Sequence, residues 1–200
     1  MDQGEIDAAL SRVRDMQVLV LDRQRFRGFS GVARMSGGVA ALAVALVLRS
    51  AVPAEPRLHL MGWGALLAFG LAVNFAGLAV WFRRGGDGVR RPELWSVFEV
   101  FPVLAAGAAL SFALVRAGQL DLLFGVWMAL YGAAHMPYRR SLPFGVYCGG
   151  LAYIAAGVCC LVWPGVSFAD PRPMGLAFGA GELWGGWALL RDSREQGGVR

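Results

Sequence analysis

Five polar side chains interrupt stretches of this 200-residue chain that are otherwise apolar over a bilayer's width: Arg34, Asn74, Glu99, His135 and Glu182. A charge turned to lipid costs roughly 2.5 to 3.5 kcal/mol on insertion scales, so such groups face protein or water and pair with one another. Around Glu182 the spacing says which way it faces. Gly175 and Gly179 lie seven and three residues before it and Gly186 four after, so on a 3.6-residue helix all three share its face. Such a face lets a neighbouring helix approach closely. Asn74 has the same setting between Gly70 and Gly77, and His135 follows Gly132 by three residues. Counted from the nearest inner arginine, Glu182 and Asn74 are nine residues deep, Glu99 eight and Arg34 seven, or about 10 to 14 Å at 1.5 Å per residue. His135, four residues from Arg139, lies at about 6 Å, nearer water. Glu182, Glu99, Arg34, His135 and Asn74 therefore form a candidate ligand or proton site; the same groups also suit a buried ion network that holds helices in register.

Other chemistries lack their residues. The chain has two histidines, His59 and His135, at opposite membrane faces, and no Cys-x-x-Cys or His-Glu-x-x-His, so no metal site is expected and a haem held between two histidines is excluded. His59 reads as a solvated residue at the interface. Neither a Gly-x-Ser-x-Gly elbow nor a phosphate-binding glycine loop occurs, and no catalytic residue or cofactor is assigned. Cys148, Cys159 and Cys160 all fall in one apolar stretch, which leaves no disulfide framework across exposed loops.

These residues must be positioned by helices. A chain that is 56% hydrophobic, with 28 glycines and a mean hydropathy of +0.51, is an integral membrane protein in composition. Six windows, at about 29–49, 58–82, 94–115, 119–138, 143–163 and 173–190, can each cross about 30 Å of hydrocarbon. The expectation is an all-α fold: six transmembrane helices as three consecutive hairpins. A related second helix recurs in each hairpin: Phe69-Gly70 with Gly77, Phe124-Gly125 with Gly132, and Phe178-Gly179 with Gly186, each followed by arginine. Gly70, Gly77, Gly125, Gly132, Gly179 and Gly186 are accordingly expected to pack helices.

All 19 basic residues are arginine, and with a cytoplasmic N-terminus the outer side holds only Arg49, Arg57, Arg116 and Arg172. That asymmetry places both termini in the cytoplasm of a multi-pass protein of the cell membrane. The pI of about 9.7 is thus a topology signal, and no nucleic-acid partner is expected. Ile6, Leu10, Val13, Gln17, Val20 and Gln24 alternate gaps of four and three, which predicts an amphipathic cytoplasmic helix within residues 1–28. Residues 29–190 then make the bundle and 191–200 a cytoplasmic tail. Partners beyond the lipid bilayer are a second copy of the chain, or a cytoplasmic protein reached through residues 3–27.

The stretch from Arg25 to Gly31, Tyr131-Gly132 and Phe178-Gly179 resemble an uncharacterised family of bacterial six-span membrane proteins. That family commonly has histidine at the position of Glu182 and tyrosine at that of Gly185, where this chain departs from it. More loosely, residues 149–164 followed by 174–190 resemble the two-helix repeat of the HdeD acid-resistance membrane proteins. These resemblances imply a six-span helical bundle in a bacterial inner membrane and carry no reaction. The function expected is non-enzymatic, by self-assembly or partner binding, in envelope stress or signalling. The alternative is a small-solute or proton transporter or channel that uses the inner polar cluster.

Overall fold

The computed structural model describes residues 10, 12, 30–84, 101–140 and 142–197. The amphipathic segment, the basic loop after Arg84 and Glu99 lie outside these residues, apart from Leu10 and Arg12, which are helical. Among the described residues the chain is all-helical, with six α-helices and no strand: α1 (Gly31–Ser50), α2 (Pro56–Arg84), α3 (Phe101–Arg116), α4 (Leu123–Ala134), α5 (Phe144–Val162) and α6 (Arg172–Gly197). Three are long and apolar enough to cross a membrane: α1, residues Pro56–Val80 of α2, and α5. This supports a membrane protein. Alone among the long helices, α6 falls outside that set, because its glycines and Glu182 dilute its apolar residues.

Local chemistry sets the boundaries. The Ser30 side chain caps α1 by accepting from the Ala33 amide at 3.3 Å. Pro56 opens α2, where the missing N–H costs nothing. Gly118 and Gly165 turn the chain after α3 and α5 at φ +70° and +100°, a region a side chain strongly disfavours. Two boundaries differ from expectation. Apolar residues 119–138 predicted one continuous helix, but α4 has 12 residues, about 18 Å. Short 3-10 turns flank it, Leu120–Leu122 before and Pro137–Arg140 after. Pro137 restricts the residue before it and removes an amide, which closes the helix early. At the other end of the chain α6 runs on through Gly197, seven residues into the expected tail.

Two helix pairs pack most closely, α1 with α6 and α4 with α5, and α5 joins them by packing on α6. Both close pairs are built on opposed glycines. A Cβ on Gly31 would come 2.6 Å from the Gly186 oxygen, one on Gly186 2.5 Å from the Gly31 oxygen, and one on Gly38 3.0 Å from the Gly179 oxygen. In α4 and α5 the same relation holds: a Cβ on Gly157 would meet the Gly125 oxygen at 2.7 Å, and one on Gly132 the Gly150 oxygen at 2.5 Å. Each pair thus runs antiparallel with glycines seven residues apart on both partners, the heptad spacing that keeps one seam facing its neighbour.

The main apolar cluster lies toward the end of the bundle that carries the α1–α2 turn. Leu48, Trp63, Leu123, Phe124, Met128, Phe168 and Met174 form it, with the Phe124 ring 4.9 Å from Phe168 and edge-on to Trp63 at 5.7 Å. Asp121 pins this end by accepting from the Phe168 amide at 2.6 Å. Against α4, α3 places Ser111, whose Oγ accepts from Trp127 Nε1 at 2.8 Å. Apart from Trp63 and His59, α2 is only partly covered and leaves Met61, Leu67, Phe69 and Phe75 exposed.

Candidate functional site

Four helices converge on one carboxylate. Arg34 projects from α1 and Glu182 from α6, and the guanidinium grips the carboxylate side-on: Nε donates to Oε2 at 2.9 Å and Nη2 to Oε1 at 2.8 Å. From α4 the Tyr131 hydroxyl donates to Glu182 Oε1 at 2.8 Å, and from α5 the Tyr153 hydroxyl donates to the same oxygen at 3.1 Å. Four donors thus serve the carboxylate, three of them on Oε1 and one, the Arg34 Nε–H, on Oε2. Glu182 is 7% exposed, so the group is held by protein rather than water.

His135 completes the network where α4 ends. Its Nε2 lies 2.9 Å from Arg34 Nη2, and its Nδ1 lies 2.8 Å from the Tyr131 carbonyl. A guanidinium can only donate, so Nε2 accepts and Nδ1 carries the hydrogen given to the carbonyl. The partners therefore assign a neutral imidazole. Rings close around it: Tyr131 packs against His135, Tyr153 and Phe178, each at 4.9 Å between centroids.

Glycines make the room for Arg34, Glu182, His135 and Tyr153. A Cβ on Gly185 would lie 2.9 Å from the Arg34 guanidinium carbon, one on Gly38 3.1 Å from Glu182 Cβ, and one on Gly150 2.7 Å from His135 Cβ. A Cβ on Gly181 would run into the Tyr153 ring. Each of these four side chains thus occupies the volume that a glycine on a facing helix leaves free. The same glycines that let the helices touch decide where the charges sit.

Of the residues expected in the polar layer, Arg34, Glu182 and His135 come together. His135, which its distance from Arg139 set about a turn away from the pair, meets it directly because the long Arg34 side chain reaches its imidazole. Asn74 does not join: its side chain is exposed and Nδ2 donates to the Gly70 carbonyl of its own helix at 2.8 Å. Glu99 lies outside the described residues. Gly125, Gly132, Gly179 and Gly186 sit in helix contacts, whereas Gly70 has nothing within 4 Å of a built Cβ and Gly77 meets only Ser30 at 3.8 Å. Two members escaped the sequence reading, Tyr131 and Tyr153. Both carry a signal: Tyr131 precedes His135 by four, and Tyr153 stands between Gly150 and Gly157 as Glu182 stands between Gly179 and Gly186.

His59, expected to be solvated at the interface, is instead 1% exposed. It lies on the face of α2 that also carries Trp63, one turn on, and that face turns into the apolar cluster. Among the described residues no group of three or more His, Cys, Asp or Glu side chains is placed to hold a metal ion. Comparison with known protein families, with curated proteins and with solved structures gives no match.

Proposed function

We propose that this chain is a non-enzymatic, multi-pass protein of the cytoplasmic membrane that acts by self-assembly, its six spans arranged as three consecutive hairpins with both termini in the cytoplasm. The packing of α1 on α2, α3 on α4 and α5 on α6 supports the hairpins. The arginine asymmetry supports the orientation. For α4, the tightened turns on either side extend the crossing beyond its 12 helical residues.

The polar network favours a structural role over transport or catalysis. Its carboxylate is buried and bonded at both oxygens, and its imidazole is held at both nitrogens. A group that shuttles protons or binds solute needs a free edge on water.

The observation that carries the assembly reading is the state of the three glycine faces. Those of α4 and α6 are each closed by a helix that brings its own glycines, while the Gly70–Asn74 face of α2 is open among the described residues. An amide in the middle of an apolar helix gains from an interhelical partner, roughly 0.6 to 2 kcal/mol. The occupant that fits is α2 of a second copy, with the two amides meeting across a two-fold axis. A cysteine at Gly70, in a background lacking Cys148, Cys159 and Cys160, should form a disulfide-linked dimer on mild oxidation in nanodiscs. Gly70→Leu should shift the mass in detergent from dimer to monomer without loss of helix content. A protein that is monomeric at every concentration, with no crosslink, overturns the reading.

A further inference from the structure

We infer that His59 and Trp63 form a second polar site, which binds two ordered water molecules between α2 and the aromatic cluster. This site does not involve the Glu182 network. It lies toward the opposite end of α1, where Leu48 packs on Gly62, whereas Gly38 packs on Glu182.

His59 is 1% exposed and Trp63 3%, yet His59 Nδ1, His59 Nε2 and Trp63 Nε1 have no hydrogen-bond partner among the described residues. Among the described residues, the other buried members of the cluster are leucine, methionine and phenylalanine, with Trp63 edge-on to Phe124; Trp127, packed against them, gives its indole N–H to Ser111, and Cys160 offers only a thiol. A neutral imidazole has one donor and one acceptor nitrogen and an indole has one donor, so the three nitrogens require two acceptors and one donor from outside. The two rings cannot satisfy this alone. An indole–imidazole bond would use the indole N–H and the acceptor nitrogen and leave the imidazole N–H orphaned. Buried polar groups in that condition are rare in folded proteins.

Water supplies the balance. One molecule accepts from the indole N–H and donates to the acceptor nitrogen of His59. A second accepts from the imidazole N–H on the other edge of the ring and gives its hydrogens to helix carbonyls, which have a second lone pair to offer. Buried water is held where it has two or more such partners, whereas apolar gaps stay dry. The consequence concerns α2, whose only deeply buried large side chains among the described residues are these two: hydrated contacts hold its first two turns to the bundle, and the remainder is left to lipid or to a second copy.

The test is proton-detected solid-state NMR on the full chain in nanodiscs, with nitrogen-15 in histidine and tryptophan. There are two histidines and seven tryptophans, so sequential backbone assignment identifies both rings without any variant. The expected result is a water cross-peak to the His59 imidazole and another to the Trp63 indole proton, with loss of the indole cross-peak in His59→Phe. Absence of water contacts at both rings in the unmodified protein overturns the proposal. So does a direct nitrogen–nitrogen coupling between indole and imidazole, which would show that the rings bond each other and exclude the bridging molecule.

Discussion

Arg34 and Glu182 illustrate how a charge pair is made tolerable inside an apolar bundle. Both side chains are about nine-tenths covered, and neither would be stable there alone. The bidentate geometry, the two tyrosine hydroxyls and the imidazole together replace the water each group gave up. Glu182→Gln leaves the guanidinium without its counter-charge and should cost about 3 to 5 kcal/mol of stability in detergent unfolding. Arg34→Met combined with Glu182→Gln should recover much of that loss, since a buried pair is often replaceable by neutral groups that pack as well. A double mutant no more stable than the sum of the single changes would contradict the coupling. The transport alternative gives a different result: Glu182→Gln would then spare stability and abolish a pH-dependent flux in proteoliposomes.

Among the helices, the opposed glycines do what large apolar side chains do in a soluble core. Within a bilayer there is little hydrophobic gain in burying leucine against leucine, so close backbone approach and dispersion carry the association. Gly157 is confined by backbone alone: an added Cβ would meet the Ala129 amide nitrogen at 2.6 Å and the Gly125 oxygen at 2.7 Å, both backbone atoms that move only if α4 and α5 separate. Gly157→Ala should therefore destabilise the protein by about 1 to 3 kcal/mol, the usual range for overpacking. Gly37→Ala, into open space on α1, 20 residues long against 19 for α5, should be neutral or raise stability by up to about 1 kcal/mol through helix propensity. Thermal unfolding of the two variants in the same detergent compares them directly, and equal effects would show that proximity across the seam is not what stabilises the pair.

At the level of the whole molecule, the two close pairs and the polar network give the bundle one tight half, with α2 and α3 on its periphery. Glu55 in the α1–α2 turn and Ser193 near the end of α6 are exposed at opposite ends of the bundle. Single cysteines there, in the cysteine-free background, should label from opposite sides: Glu55→Cys in intact cells with an impermeant maleimide, Ser193→Cys only once the cytoplasmic face is opened. The reverse pattern would invert the orientation read from the arginines.

How much of this was legible beforehand differs by residue. The membrane class and the helical character follow from composition and from apolar runs, because bilayer thickness and unpaired backbone polar groups leave a long apolar stretch few other structures. Glu182 facing a small-residue seam follows from 3.6-residue periodicity alone. Gly70, Gly77 and Asn74 have that same periodicity, yet among the described residues no helix closes their face, since a helix pattern says which residues share a side and not whether another helix lies there. Depth counted along a helix brought Arg34 near Glu182 but set His135 apart from them, because residue counting leaves out the reach of the Arg34 side chain, which touches both. Tyr131 and Tyr153 entered the network, and His59 entered the core, through the rotation of α4, α5 and α2 against their neighbours. The sequence by itself determined which faces could accept close neighbours; only the tertiary structure decided which of them did, because interhelical contacts depend on rotation and crossing geometry that no single helix encodes.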